Sequence, residues 1–317
     1  MSAPDSLPEG FTDFEMMSFG TVMLMEALFG FSLNVLTIVA FWKIKAIQTP
    51  GNFLILNLAL SDCGICINAF IAAFSSFLRE KGSSPSPDMF SHLINCFFFF
   101  RYWPYGSDGC QIHGFQGFLT SLTSINCAAA IAWDRYHQYC SRRKLQWNSV
   151  FFMGLFAWCS AGFWSAMPLL GWGAYDYEPL RTCCTLDYTK GDRNYITFLI
   201  PLVLFNFVIP IFIILMSYQS IDNKFRKIGQ LKFNTGLPVK SLVLCWGPYS
   251  LLSIYAAVEN VALVSPKILM IPALIAKASP TLNAFLYALG NENYQGGLWQ
   301  LLTGEKREKP KTDDKNN

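Results

Sequence analysis

Hydrophobic positions along the chain gather into seven long runs, at roughly residues 17–42, 52–78, 112–139, 149–170, 195–218, 239–262 and 268–290. Each is long enough for a helix to cross a hydrocarbon core about 30 Å thick. The pattern predicts an all-α membrane protein built as a seven-transmembrane helix bundle. Between the runs, KIKAIQTPGN and SRRKLQW are polar and basic, whereas GWGAYDYEPLRTCCTLDYTKGDRN is long, aromatic and acidic and falls on the outward side. After Tyr287, Leu298, Trp299, Leu301 and Leu302 stand beside charged residues, which predicts a short amphipathic helix on the membrane surface. The organisation read from this pattern is a lumenal or extracellular N-terminus (1–16), the bundle (17–290), and a surface helix with a short cytoplasmic tail (291–317), whose final KPKTDDKNN reads as disordered.

Residues 80–100, EKGSSPSPDMFSHLINCFFFF, disturb the order. The apolar part, from His92 to Phe100, is too short to span a membrane. It is either an outer-loop insertion that dips into the interface or a read-through at an exon border, where four consecutive Phe codons would form a pyrimidine-rich tract. The second reading is slightly preferred, and spliced transcripts that all carry the segment would end it.

Composition agrees with a lipid solvent: of 317 residues, 52% are hydrophobic and only 14% charged. A net charge of +3 gives no reason to expect a nucleic-acid partner. The distribution of charge says more than its sum. No Lys or Arg precedes Lys43, while Asp5, Glu9, Asp13 and Glu15 do, so the N-terminus reads as outside or lumenal. In that orientation sixteen of the 24 basic residues lie on cytoplasmic segments, seven lie outside, and Lys277 lies within a span. The first 18 residues lack a basic region followed by an apolar core, so the first helix is expected to be its own insertion signal. The ten cysteines show no zinc pattern, and no metal site is expected. Cys110, Cys183 and Cys184 lie on the predicted lumenal side, where at least one disulfide should form. No N-x-S/T sequon occurs.

Ionisable groups inside apolar spans are costly and need a reason, and Glu26, Asp62, His113, Glu259 and Lys277 qualify. Lys277 sits in IPALIAKASPTLNAFLYAL, too deep to reach water easily. It is either the partner of a carboxylate on another helix or a nucleophile, because desolvation favours the neutral amine that condenses with an aldehyde. Pro280, three residues on, frees a carbonyl and permits a kink that opens space beside it.

In KASPTLNAFLY, Lys277, Pro280, Asn283 and Tyr287 resemble the seventh helix of animal opsins, within the rhodopsin-like receptors. Other marks of that family fall in order: Asn34, NLALSD ending at Asp62, Cys110, the DRY triplet Asp134-Arg135-Tyr136, Trp158, Pro210 with Tyr218, and CWGPY with Trp246 and Pro248. The resemblance covers almost the whole chain. Among opsins, WPYGSDGCQ, the TCCTLDY region and WGPY are most similar to the retinochrome-like branch found in retinal pigment epithelium and Müller cells, against which residues 80–100 look like an insertion. It implies that Lys277 carries retinal as a Schiff base, with all-trans-retinal preferred, and that Cys110 bonds Cys184. It also implies that Trp246 and Tyr249 flank the polyene, with Phe207, Gly114 and Gly117 as further pocket candidates. The alternative for these last residues is ordinary helix packing.

The counterion departs from the visual-pigment pattern. Three residues after Cys110, where those pigments place Glu, stands His113, and a neutral or charged imidazole cannot offset a protonated Schiff base. Glu178 is therefore the candidate counterion and His113 a modulator or simply a polar boundary residue. A chromophore whose colour changes with pH near neutrality is expected.

Two functions compete. As a photoisomerase the protein would convert all-trans-retinal to 11-cis-retinal, with a retinoid carrier or a retinol dehydrogenase as partners. As a light-activated receptor it would engage a G protein through Asp134, Arg135, Tyr136, Asp62, Asn283, Tyr218 and Tyr287. Three features favour the isomerase. Ala284 replaces the Pro of NPxxY, the tail carries only Thr303 and Thr312 as Ser/Thr-type hydroxyls, and it has no Cys for palmitoylation. A lysine-dependent transporter or aldehyde-processing enzyme is a third class. It would need an acid or base beside Lys277, and the nearest carboxylate before it in sequence is Glu259.

Overall fold

The computed structural model describes residues 11–77, 106–189, 191–227, 237–289 and 292–304. The 80–100 segment, the last residues of the tail and the acids Asp5 and Glu9 lie outside the described residues, so the insertion, splicing and disorder expectations are not addressed by it.

Helix α1 (Asp13–Lys43) begins at a capping box. The Glu15 N–H donates to Thr12 Oγ1 (3.2 Å) and the Thr12 N–H to Glu15 Oε2 (2.9 Å), so two backbone donors are satisfied reciprocally. The other Glu15 oxygen pairs with Lys267 at 2.7 Å and ties the start of α1 to the start of α7. Thus an acid that entered the sequence argument only as orientation charge is also a structural tie. The remaining helices among the described residues are α2 (Pro50–Phe77), α3 (Gly106–Tyr136), α4 (Trp147–Ala166), α5 (Arg193–Lys227), α6 (Leu237–Val258), α7 (Pro266–Ala288) and the short α8 (Glu292–Thr303). The seven long helices form the expected bundle, and α8 stands where the amphipathic segment predicted it.

Among the described residues six helices, all but α3 of the long ones, are long and apolar enough to cross a membrane. α3 matches α1 in length, at 31 residues, but is more polar. It packs against α2, α4, α5 and the α4–α5 connection, so its polar side chains meet protein instead of lipid. On the other helices, large apolar side chains such as Phe29, Phe152, Phe156, Phe212 and Leu251 remain exposed. That surface suits hydrocarbon and would be a liability in water. Polar clips join the helices inside: Asn34 Nδ2 donates to the Pro280 carbonyl (3.2 Å), and Trp158 Nε1 to Asn57 Oδ1 (3.1 Å).

Two helices are irregular where their prolines dictate it. Pro210 has no N–H for the Asn206 carbonyl, and α5 widens into a π turn over Leu204–Val208. In α7 the α-helical winding breaks at Ala278, between Lys277 and the Ser279–Asn283 turn that holds Pro280. The stretch Ala284–Leu289 is π-wound although Ala284 replaces proline, so loss of that ring does not leave a regular α-helix.

The α4–α5 connection, read from the sequence as a long loop, turns inward. Tyr175–Tyr177 (β1) pairs antiparallel with Cys184–Leu186 (β2), and Cys184 is bonded to Cys110 at the start of α3. Tyr175, Glu178, Leu180, Cys183, Leu186 and Tyr188 are all buried. The segment is therefore a roof over the helix ends. Two span boundaries also differ. Glu259 falls beyond the end of α6 and is exposed, so it needs no buried partner. α5 continues past its apolar run to Lys227, and Lys224 Nζ caps the Cys140 carbonyl at 3.0 Å, joining α5 to the end of α3.

Candidate functional site

Beneath β2, among α3, α5, α6 and α7, lies a cavity whose empty volume, counting its open mouth, is about 960 Å³. The helix irregularities position its walls. The π turn of α5 presents Phe207, α6 presents Trp246 and Tyr249 on either side of Pro248, and Lys277 is the residue at which α7 breaks. Gly114 and Gly117 complete the wall on α3, and Glu178 and Cys184 reach it from the roof. The amine, the carboxylate and every pocket candidate named from the sequence line this one cavity.

The glycines also serve packing. A Cβ on Gly114 would lie 2.7 Å from the Tyr175 ring, and one on Gly117 would lie 2.9 Å from Asn68 Nδ2. Both readings of these positions therefore hold, since the lack of a side chain lets the roof and α2 approach the cavity wall.

Lys277 is within electrostatic reach of two carboxylates, Glu178 first and Glu26 of α1 after it. Distance along the chain therefore does not limit the acids that reach Lys277, because the tertiary fold delivers carboxylates from far along the sequence. The hydrogen bond accepted by the Glu178 carboxylate comes from the buried Cys183 thiol, at 2.6 Å. His113 does not line the cavity. Its Nδ1 lies 3.2 Å from the Cys184 carbonyl and 3.3 Å from the Cys184 nitrogen, and its Nε2 lies 3.3 Å from the Asn68 carbonyl. These contacts clamp the roof strand to α2 and α3. His113 is therefore a buried clamp, and the boundary-residue alternative does not describe it.

Several contributors carried only a weak signal in the sequence. Asn68 Nδ2 donates to Gln116 Oε1 (2.8 Å) and to the His113 carbonyl (3.1 Å). Thr185 Oγ1 and the Tyr249 hydroxyl lie 2.6 Å apart and link roof to α6. Amides inside apolar runs could have flagged Asn68 and Gln116, but nothing local marks Thr185 or Cys183.

The receptor-switch candidates lie outside the cavity. Asp62 accepts hydrogen bonds from Ser124 Oγ (2.7 Å) and Asn283 Nδ2 (3.1 Å), joining α2, α3 and α7. Farther from the roof, Asp134 is buried against Gly51, Arg135 Nη1 donates to Gln138 Oε1 (3.2 Å), Tyr136 stacks on Trp133, and Tyr218 and Tyr287 are buried.

The profile of the 7 transmembrane receptor (rhodopsin family) matches residues 33–287. The human RPE-retinal G protein-coupled receptor is 52% identical over 98% of this chain and 100% of its own length. The bovine protein of that name is 49% identical over 97% of this chain and 98% of its own length. Squid rhodopsin shares the fold, with a TM-score of 0.77 at 24% identity over 94% of this chain and 89% of its own. A chain with this bundle, this roofed cavity and these relatives belongs to the rhodopsin family of seven-transmembrane receptors, and within it to the opsins similar to the RPE-retinal G protein-coupled receptors.

Proposed function

We propose that this opsin binds all-trans-retinal as a Schiff base on Lys277 and returns it, after light, as 11-cis-retinal. The observation that carries this reading is the meeting of an amine, a carboxylate and an aromatic wall in one roofed cavity. Lys277 would hold the aldehyde through a C=N bond, its carbonyl oxygen leaving as water, and addition of water back across that bond would release the product and restore the amine. Glu178 offsets the positive charge of the protonated nitrogen. Trp246, Tyr249 and Phe207 limit which bonds of a long conjugated ligand can turn. The bound polyene supplies the photochemistry, and the chain supplies orientation and electrostatics. The N-terminus and roof face the outside or lumen, and a retinoid carrier or retinol dehydrogenase exchanges product for substrate. By family likeness the protein works in internal or plasma membranes of pigment epithelium and Müller cells.

The test is to load purified protein with all-trans-retinal, illuminate it and analyse the extracted isomers, with Lys277→Ala as control. An excess of 11-cis from wild type alone is expected, and its absence ends the isomerase reading. A second reading, a light-activated receptor, is favoured by the Asp62–Ser124–Asn283 network and the DRY triplet. Light-dependent nucleotide exchange on a G protein by the loaded wild type would establish it.

A further inference from the structure

Cys183 takes no part in the disulfide, yet it is fully buried against Met23, Ala72 and Ala73 of α1 and α2. Its thiol donates to Glu178 Oε2, while the Glu178 N–H donates to the Cys183 carbonyl at 3.0 Å. Side chain and backbone of these two residues thus hold each other in a closed ring at the turn of the roof, beside the disulfide that anchors β2. We propose that Cys183 is a positioning residue that aims the Glu178 carboxylate into the cavity, as a permanent hydrogen-bond donor and not as an alternative disulfide partner. This rests on the reading of Glu178 as the counterion.

Burial, and next the Glu178 carboxylate, push the Cys183 thiol well above the ordinary thiol range. It therefore keeps its proton at physiological pH, which preserves the donor and starves any exchange with the Cys110–Cys184 bond of the thiolate it needs. The titratable and charged groups that face the pair are Lys277 from α7, His113 from α3, Tyr249 from α6 and Tyr188 from the roof itself. The thiol is the member that donates directly to the carboxylate, so its removal acts on Glu178 before it acts on them.

Two measurements test this. The first uses the ligand-free protein: the infrared S–H stretching band that disappears in Cys183→Ser is expected at the lowered wavenumber of a bonded thiol, and Glu178→Gln should raise it. A band at the position of a free thiol, indifferent to Glu178→Gln, overturns the proposal whatever retinal does. The second uses the loaded protein. Cys183→Val removes the donor that holds the carboxylate in place, so the absorption maximum of the bound pigment should move. Cys183→Ser, which keeps a donor, should stay near wild type. An unmoved maximum in Cys183→Val overturns the proposal. Failure of wild type to take up retinal overturns the proposed function instead, and the infrared result still decides the role of Cys183.

Discussion

At the roofed end the helices stand apart around a cavity, and elements distant in sequence, α3, α5, α6, α7 and the α4–α5 connection, contribute residues to it. Toward the Asp134 end the same helices close. Leu54, Ile131, Ile214, Ile221, Tyr218 and Tyr287 belong to one apolar cluster there, and Asp62, Ser124 and Asn283 satisfy one another above it. The contrast teaches where ligand chemistry and conformational switching would reside. The roofed half has the volume, the amine and the carboxylate. The closed half has polar ties whose rearrangement would cost several hydrogen bonds, as a two-state element requires.

Substitutions can break the two halves separately. The largest effect is expected from Lys277→Ala, which should abolish the covalent retinal adduct, read by mass after borohydride reduction, and leave the closed half intact. Next is Cys110→Ala. Opening a disulfide with a sequence separation of 74 should cost about 4 kcal/mol in the chain-entropy view, seen as a lower unfolding temperature. Because the roof carries Glu178, retinal uptake should fall with it. Asp62→Ala sharpens the comparison from the other side. It strands the Ser124 hydroxyl and leaves Asn283 Nδ2 only the Ser124 oxygen, and should cost about 1–3 kcal/mol of thermal stability without altering the spectrum of the bound pigment. A changed spectrum would show that the halves are coupled more tightly than their contacts indicate. Gly114→Val is the smallest. Its added carbons meet the Tyr175 ring, at a cost of about 1–3 kcal/mol, and should weaken retinal uptake with little effect on the Asp134 end.

Much of the site was legible because opsin-like marks fix single residues. Lys277, Glu178, Trp246, Tyr249 and Phe207 all reached the cavity, and the Cys110–Cys184 bond formed as the resemblance implied. His113 was noticed as a departure, but its clamp on Cys184 and Asn68 was not legible, because both partners lie far from it along the chain. Glu259 misled for the opposite reason: an apolar run does not show where a helix stops, and α6 ends one residue earlier.

By itself, then, the sequence determined the seven helices, the lipid as their solvent, the kink beside Lys277 and the placement of its amine inside the last span. These follow from local properties, namely run length, charge placement and proline. Only the tertiary structure decided that the acidic connection is a roof, that Glu26 and Glu178 both act on Lys277, and that Cys183 holds Glu178. Such contacts join residues dozens to hundreds of positions apart, and no periodicity or spacing encodes them, because they arise when packed helices bring their faces together.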